Sequence, residues 1–559
     1  MKYFRATLWV VGVLVVSACA DRSRAHTSHT RDTGGTMVIV ATADADILFP
    51  PLVSSFVGRQ VTELVYDYLA EVGTGMNTIG DEGFRPQLAK SWKWAPDSLS
   101  IAFRIDSAAR WHDGAPVRAD DVRFTYSVYT DTTVGSATAG QIANIDSVTA
   151  PDSLTAVFWF HKREPLQFFD ATNQMQILPW HVFGRVARDS VRQFAAATAP
   201  VGSGRFRFVR WNRGSSLELG PDSTNYRSSP KLGRVIWTIV PSAVTATTKL
   251  LGGEVDLYDV MRPENVREVL SHPEIRVISL PGTDYGFLDF NLREPARHGT
   301  PHHLFGSREL RRALSMGVDR TSIVASVFDS LGRVAVGPTV RAFPTTDTTI
   351  EGLPYSPAAA SHLLDSLGWR ATGADSIRRR NGQELRFALL VSTSSLIKKK
   401  MAVLLQEELR KIGVRMDLDQ MDRATFDARM RARDFDAALA TWHLGSSAGA
   451  LKETWTTAAA RAPSGLNYGS YTNPIFDAYV DSATSAMNLG ASRRYYTLAY
   501  RIAIQDAPAI WLYEPRMVLG IHRRIKPAAI RPDAWWYSLA DWYIPATEQI
   551  SRDSVRYQK

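Results

Sequence analysis

Residues 387–441 read FALLVSTSSLIKKKMAVLLQEELRKIGVRMDLDQMDRATFDARMRARDFDAALAT, and the hydrophobic period switches repeatedly along them. Phe387 to Val391 is a compact apolar run of strand length. Met401, Leu404, Leu405 and Leu409 then recur at helical spacing until Gly413 stops the pattern. Val414, Met416 and Leu418 alternate as a strand, Asp422 opens another helix, and Phe435 to Thr441 is an apolar strand again. Strand, helix, strand, helix, strand is how an α/β sheet with crossover helices is written in sequence.

Toward the N-terminus of this stretch the helices are punctuated clearly. Ser307 caps one carrying Leu310, Ala313 and Leu314, and Asp319 caps the next. Ser356 and Pro357 supply a cap and a first-turn proline before Leu363, Leu364 and Leu367, with Gly368 as the stop. The first half of the chain is richer in strands. Met37-Val-Ile-Val-Ala41 is an apolar strand, Phe206-Phe208 and Leu217-Leu219 flank the turn at Asn212-Arg213-Gly214, and Val235 to Val240 is a buried strand. In residues 84–126, FRPQLAKSWKWAPDSLSIAFRIDSAARWHDGAPVRADDVRFTY, the pattern predicts a short helix ending near Trp92 and a turn at Pro96-Asp97. A strand through Leu99, Ile101, Phe103 and Ile105 follows, then a tight turn at His112-Asp113-Gly114 and a helix beginning at Ala119-Asp120-Asp121.

The N-terminal segment is not part of the fold. Lys2 and Arg5 precede an apolar run from Ala6 to Val16 that is too short to span a bilayer, and Ser17 and Ala18 are small. Val16-Ser17-Ala18-Cys19 resembles a bacterial lipobox, which implies a signal peptide over 1–18 and lipidation of Cys19. Residues 20–35, ADRSRAHTSHTRDTGG, are polar and read as a tether, with His26 and His29 solvated. Because Cys19 is the only cysteine, the body has no disulfide framework and no cysteine-based zinc site. A body of about 520 residues allows two to four domains. The formal net charge of +9 is spread along the chain, and its one dense run, Lys398-Lys399-Lys400, opens a helix and reads as a solvated face. Nucleic acid is not an expected partner.

Residues 84–126, VGSGRFRFVRWNRGSSLEL at 201–219, KLLGGEVDL at 249–257, FNLREP at 290–295, SRELRRALSMGVDRTSIV at 307–324, YSPAAASHLLDSLGW at 355–369 and APAIWLYEP at 507–515 occur in one order. Together they resemble the extracytoplasmic solute-binding proteins of ABC importers, in the dipeptide, oligopeptide and nickel-binding family. The resemblance implies an α/β, two-lobe periplasmic-binding-protein-like fold of type II, large cluster C, with an extra subdomain in the first lobe. By position, lobe I is 36–285 with an insertion at about 70–190, lobe II is 286–512, and 513–559 returns to lobe I. The chain crossings fall near Tyr285 to Asn291 and Leu512 to Pro515. The implied protein is a monomer at the periplasmic or extracytoplasmic face, anchored through Cys19. It passes a peptide or peptide-like solute to a permease and its ATPase, with an oligosaccharide as the alternative ligand.

Peptide-binding relatives fix the ligand ammonium with an aspartate just after the strand corresponding to 435–441. Here that place reads Thr441-Trp442-His443-Leu444-Gly445, without an acid. The expected ligand contacts are therefore Trp442 as a stacking wall, His443 as a polar contact, and Asn467 and Tyr468 in the following loop. Arg297-His298 with His302 and His303 forms a basic loop, read as solvated and not as a metal site. No cofactor is expected. Gly-x-x-x-x-Gly-Lys-Ser/Thr, His-Glu-x-x-His and Gly-x-Ser-x-Gly are absent, and Ser395-Leu-Ile-Lys398 lacks the downstream motifs of a Ser-x-x-Lys enzyme. A surface hydrolase is thus the least supported class, and no catalytic residue is assigned.

Overall fold

The computed structural model describes residues 34–554 except 262, 372–375, 446–447 and 464. Cys19, His26 and His29 lie outside the described residues. Two strand systems merge into one 12-stranded sheet. In the first, Thr36–Ala41 runs parallel to Arg234–Ile239, and Ser216–Pro221 and Phe206–Asn212 continue antiparallel. In the second, Arg386–Ser392 runs parallel to Arg415–Met421 and to Ala437–His443, and Ala437–His443 pairs antiparallel with Asp284–Phe290.

One long strand, Ala509–His522, belongs to both. Its first part pairs with Asp284–Phe290, and its second part, from Arg516, pairs with Ile275–Pro281. A two-stranded ribbon therefore passes from one lobe to the other, with the changeover at 281–284 on one strand and 513–516 on the other. Tyr285 to Phe290 lies in the second sheet along its whole length. Gly282 is needed at the changeover, since a Cβ there would stand 2.3 Å from the Pro515 carbonyl oxygen.

The cores follow the same division. One buried cluster draws on Met37 to Trp237 and on Leu519 to Ile544, including Trp535, Trp536 and Trp542. Two others draw on the chain from Tyr285 to Tyr513, one of them joined by Met76 from the first lobe. The side-chain caps expected at Ser307, Asp319, Ser356 and Asp422 all accept from backbone N–H groups of the first turn. Gly368 and Gly413 stop their helices at φ +81° and +80°.

A separate four-stranded antiparallel sheet is formed by Ala89–Trp94, Ser100–Ile105, Thr155–Phe160 and Ile145–Asp152. The helix expected to end near Trp92 is here a strand, Ala89–Trp94. Its sequence, AKSWKW, fits either period over so short a run, and pairing with Ser100–Ile105 decides it. Trp92 and Trp94 then share one face, packed on Phe168, with both indole N–H groups donating to Asp81.

Two surface readings also need correction. Lys398 is half-buried, with its ammonium 5.7 Å from the Phe426 ring, and burial lowers its pKa to about 8. His302 is buried and stacked on Phe305, whereas Arg297, His298 and His303 are exposed.

Candidate functional site

Between the lobes lie two adjoining cavities, of about 240 Å³ and about 820 Å³, which share Arg59, Glu63, Tyr68, Asn173 and Gly445. The second lobe contributes His443 to Gly445, Gly449 to Glu453 except Leu451, and Thr484 and Ser485. The remaining lining residues come from the first lobe. A cleft with walls from two independently packed lobes is where a small ligand is held in such architectures.

The first-lobe wall is built of charges. Helix Phe56–Val65, capped by the Ser55 hydroxyl, turns Arg59 and Glu63 toward the cleft. Glu63 accepts from the Trp536 indole N–H at 2.8 Å, and Arg59 lies 3.8 Å from Glu63 and over the Trp536 ring. Burial pushes the Glu63 carboxyl above its usual range, against the pull of Arg59 and Trp536. Arg531 bonds Asp533 at 2.6 Å and lies over Tyr537, as Arg85 does. Arg227 pairs with buried Asp67, and Arg205 with Asp541 at 2.8 Å. Burial raises Glu71 as well, with Arg531 and Arg227 opposing it.

Among the residues expected to contact ligand, His443 lines the smaller cavity and its Nδ1 lies 2.5 Å from Asp284 Oδ1, the residue opposite it across the strands. Trp442 and Tyr468 stack on each other, with centroids 6.0 Å apart and planes at 26°, and neither lines these two cavities. Asn467 is buried inside its own loop. Its amide donates to the Thr456 and Tyr471 carbonyls and accepts from Tyr471 N–H, so its hydrogen-bonding groups are already engaged.

The basic loop contains one group with the spacing of a metal site, Glu294, His302 and His303. Its chemistry does not favour an ion. His302 Nδ1 accepts from the Leu304 and Phe305 N–H groups and its Nε2 faces Asp436, so neither ring nitrogen is available.

Sequence reasoning missed the first-lobe wall, because Arg59, Glu63, Tyr68, Arg85 and Arg531 belong to no local motif. Asp170 carried a signal. It is an acid inside the apolar run Phe168-Phe169-Asp170-Ala171, where a charge is out of place unless it has work to do.

Comparison with known proteins gives a consistent picture. The profile of the bacterial extracellular solute-binding proteins, family 5 Middle, matches residues 83–456. The oligopeptide-binding protein AppA of Bacillus subtilis (strain 168) is 24% identical over 560 residues, spanning 97% of this chain and 100% of the relative. The structure of that protein in complex with a nonapeptide superposes with a TM-score of 0.72 at 22% identity, covering 92% of this chain and 99% of that one. The substrate-binding protein CtaP of Listeria monocytogenes superposes with a TM-score of 0.78 at 23% identity, over 92% and 99% of the two chains. With a mixed α/β fold of two lobes around a charged cleft, this chain belongs to the bacterial extracellular solute-binding proteins, family 5.

Proposed function

We propose that the chain is the capture component of an ABC importer. It takes a peptide or peptide-like solute into the interlobe cleft, closes on it, and presents it to a membrane permease driven by a separate ATPase. The observation that carries this reading is the cleft with charged residues of both signs, Arg59, Arg85, Arg531, Glu63 and Glu71, on a wall facing His443 to Gly445. A zwitterionic solute meets both signs there. The Trp442–Tyr468 pair, expected as a stacking wall, stands outside these cavities. His443 is the proposed second-lobe contact.

In this reading the hinge is the ribbon at 281–284 and 513–516, with lobe II between them and 517–554 returning to lobe I; the changeover of strand pairing there supports it. Lipidation of Cys19 would hold this assembly at the outer side of the membrane as a monomer. No catalytic step is assigned, and the work is binding with conformational change.

Thermal-shift measurements with peptide and oligosaccharide libraries test the reading. A ligand at about 100 times its dissociation constant stabilises the bound state by about 2.7 kcal/mol, so peptides should raise the melting temperature by about 2–3 °C, at roughly 1 °C per kcal/mol for a chain of this length. Stabilisation by an oligosaccharide and by no peptide would replace the peptide reading with the sugar one.

A further inference from the structure

Asp170 sits on helix Gln167–Asn173, is 7% exposed, and lines the larger cavity. Its neighbours Phe168, Phe169 and Ala171 are buried in the first-lobe core. Among the described residues its carboxylate has no hydrogen-bond or ion-pair partner, and the neighbouring charge acting on it is another carboxylate, Glu164. Glu164 is itself held by Lys162 at 2.7 Å. Of the other cations around the cavity, Lys452 pairs with Asp481 at 2.8 Å, Arg59 lies against Glu63 and Trp536, and Arg163 is exposed. A carboxylate mostly withdrawn from water, open only to the cavity and without a cation, is an unfavourable arrangement. Burial accordingly drives its pKa well above the usual range, with Glu164 adding to the shift. The arrangement resolves when a cation enters the cavity, because the pair then replaces the lost hydration.

We propose that Asp170 anchors a primary ammonium group of the captured solute in the larger part of the cleft. This assignment rests on the peptide-binding reading above. It places the amine on the first-lobe wall, on the opposite side of the cleft from Gly449 to Glu453 of the second lobe, and it makes the smaller arginine-lined cavity available to the rest of the solute.

The test uses the full chain and peptides of two to nine residues with free amines. The tightest binder is then compared with its N-acetylated form by titration calorimetry, on wild type, Asp170→Asn and Asp170→Ser. Acetylation should weaken binding to wild type about 100-fold, the range for losing one partner of a buried charge pair. Asp170→Asn should weaken the free-amine peptide by a similar factor and bind both forms alike. Because Asp170 has no partner to lose, both variants should melt at or above the wild-type temperature. If acetylation costs the same factor in all three proteins, or nothing in wild type, the ammonium is held elsewhere and the inference fails while the peptide reading stands. If no free-amine peptide binds, the peptide reading fails and takes the inference with it.

Discussion

Arg524 ties the two ends of the described chain to the first-lobe sheet. Its guanidinium donates to Asp256 at 2.7 Å, to Asp553 at 2.7 Å and to the Thr36 carbonyl at 2.8 Å, while Arg552 reaches Asp256 at 2.6 Å and Asp553 accepts from Thr36 N–H. Asp256 and Arg524 are 0% and 4% exposed, so removing one strands the other without solvent. Asp256→Ala should cost about 3–5 kcal/mol of stability, read as a lowered urea midpoint with an unchanged slope. A loss under about 1 kcal/mol would show the network to be solvated. His112 supplies a pH dependence. Its Nδ1 accepts from Gly202 N–H, which leaves Nε2–H to donate to the Gly204 carbonyl, and burial lowers its pKa to about 4. The folded state therefore resists protonation that the unfolded chain accepts near pH 6.5. The stability this provides is complete above that value and is lost as pH falls toward about 4, by at most roughly 3 kcal/mol. Wild type should lose stability between pH 6.5 and 4 relative to His112→Gln, and parallel profiles for the two would refute the assignment.

At the scale of elements, the inter-lobe ribbon depends on two glycines. A Cβ at Gly286 would stand 2.0 Å from the Tyr513 ring, and the register of the two strands shifts between Gly286 and Phe287. Tyr513 in turn shares a hydrogen bond of 2.8 Å with Thr441 on the strand that ends at His443. Gly286→Ala should therefore destabilise the protein by roughly 1–3 kcal/mol through overpacking and displace the His443 end of its strand. The first effect is measured by denaturation and the second by weakened peptide binding. Normal stability and affinity would mean that Tyr513 can swing aside. Elements were legible where cap, period and stop agreed, as at Ser307, Asp319 and Gly413. Ala89–Trp94 was not, because six residues of AKSWKW satisfy two periods and only the neighbouring strand chooses between them.

For the molecule as a whole, the ribbon through 281–284 and 513–516 is the sole described β-connection between the lobe sheets, and in the proposed capture mechanism the lobes rock about it. A solute that touches both walls favours the closed arrangement, and one that touches a single wall shifts nothing. Small-angle scattering should show the radius of gyration fall when a bound peptide is added. Tight binding with no change in that radius would remove the hinge from the mechanism.

The sequence by itself determined the α/β class, the helix starts at Ser307, Asp319, Ser356 and Asp422, the stops at Gly368 and Gly413, and the family resemblance, because periodicity, capping and ordered motifs are local properties of the chain. It also brought His443 to attention through its place after an apolar strand. Only the tertiary structure decided the first-lobe wall of the cleft. Arg59, Glu63, Tyr68, Arg85, Asp170 and Arg531 are separated by up to several hundred residues and become one surface when the returning segment packs on the first helix. Likewise, Asn467 looked available for a ligand until folding placed the Thr456 and Tyr471 backbone around it. Whether a polar side chain is free to bind depends on which backbone groups remain unpaired nearby, and that is settled by long-range packing.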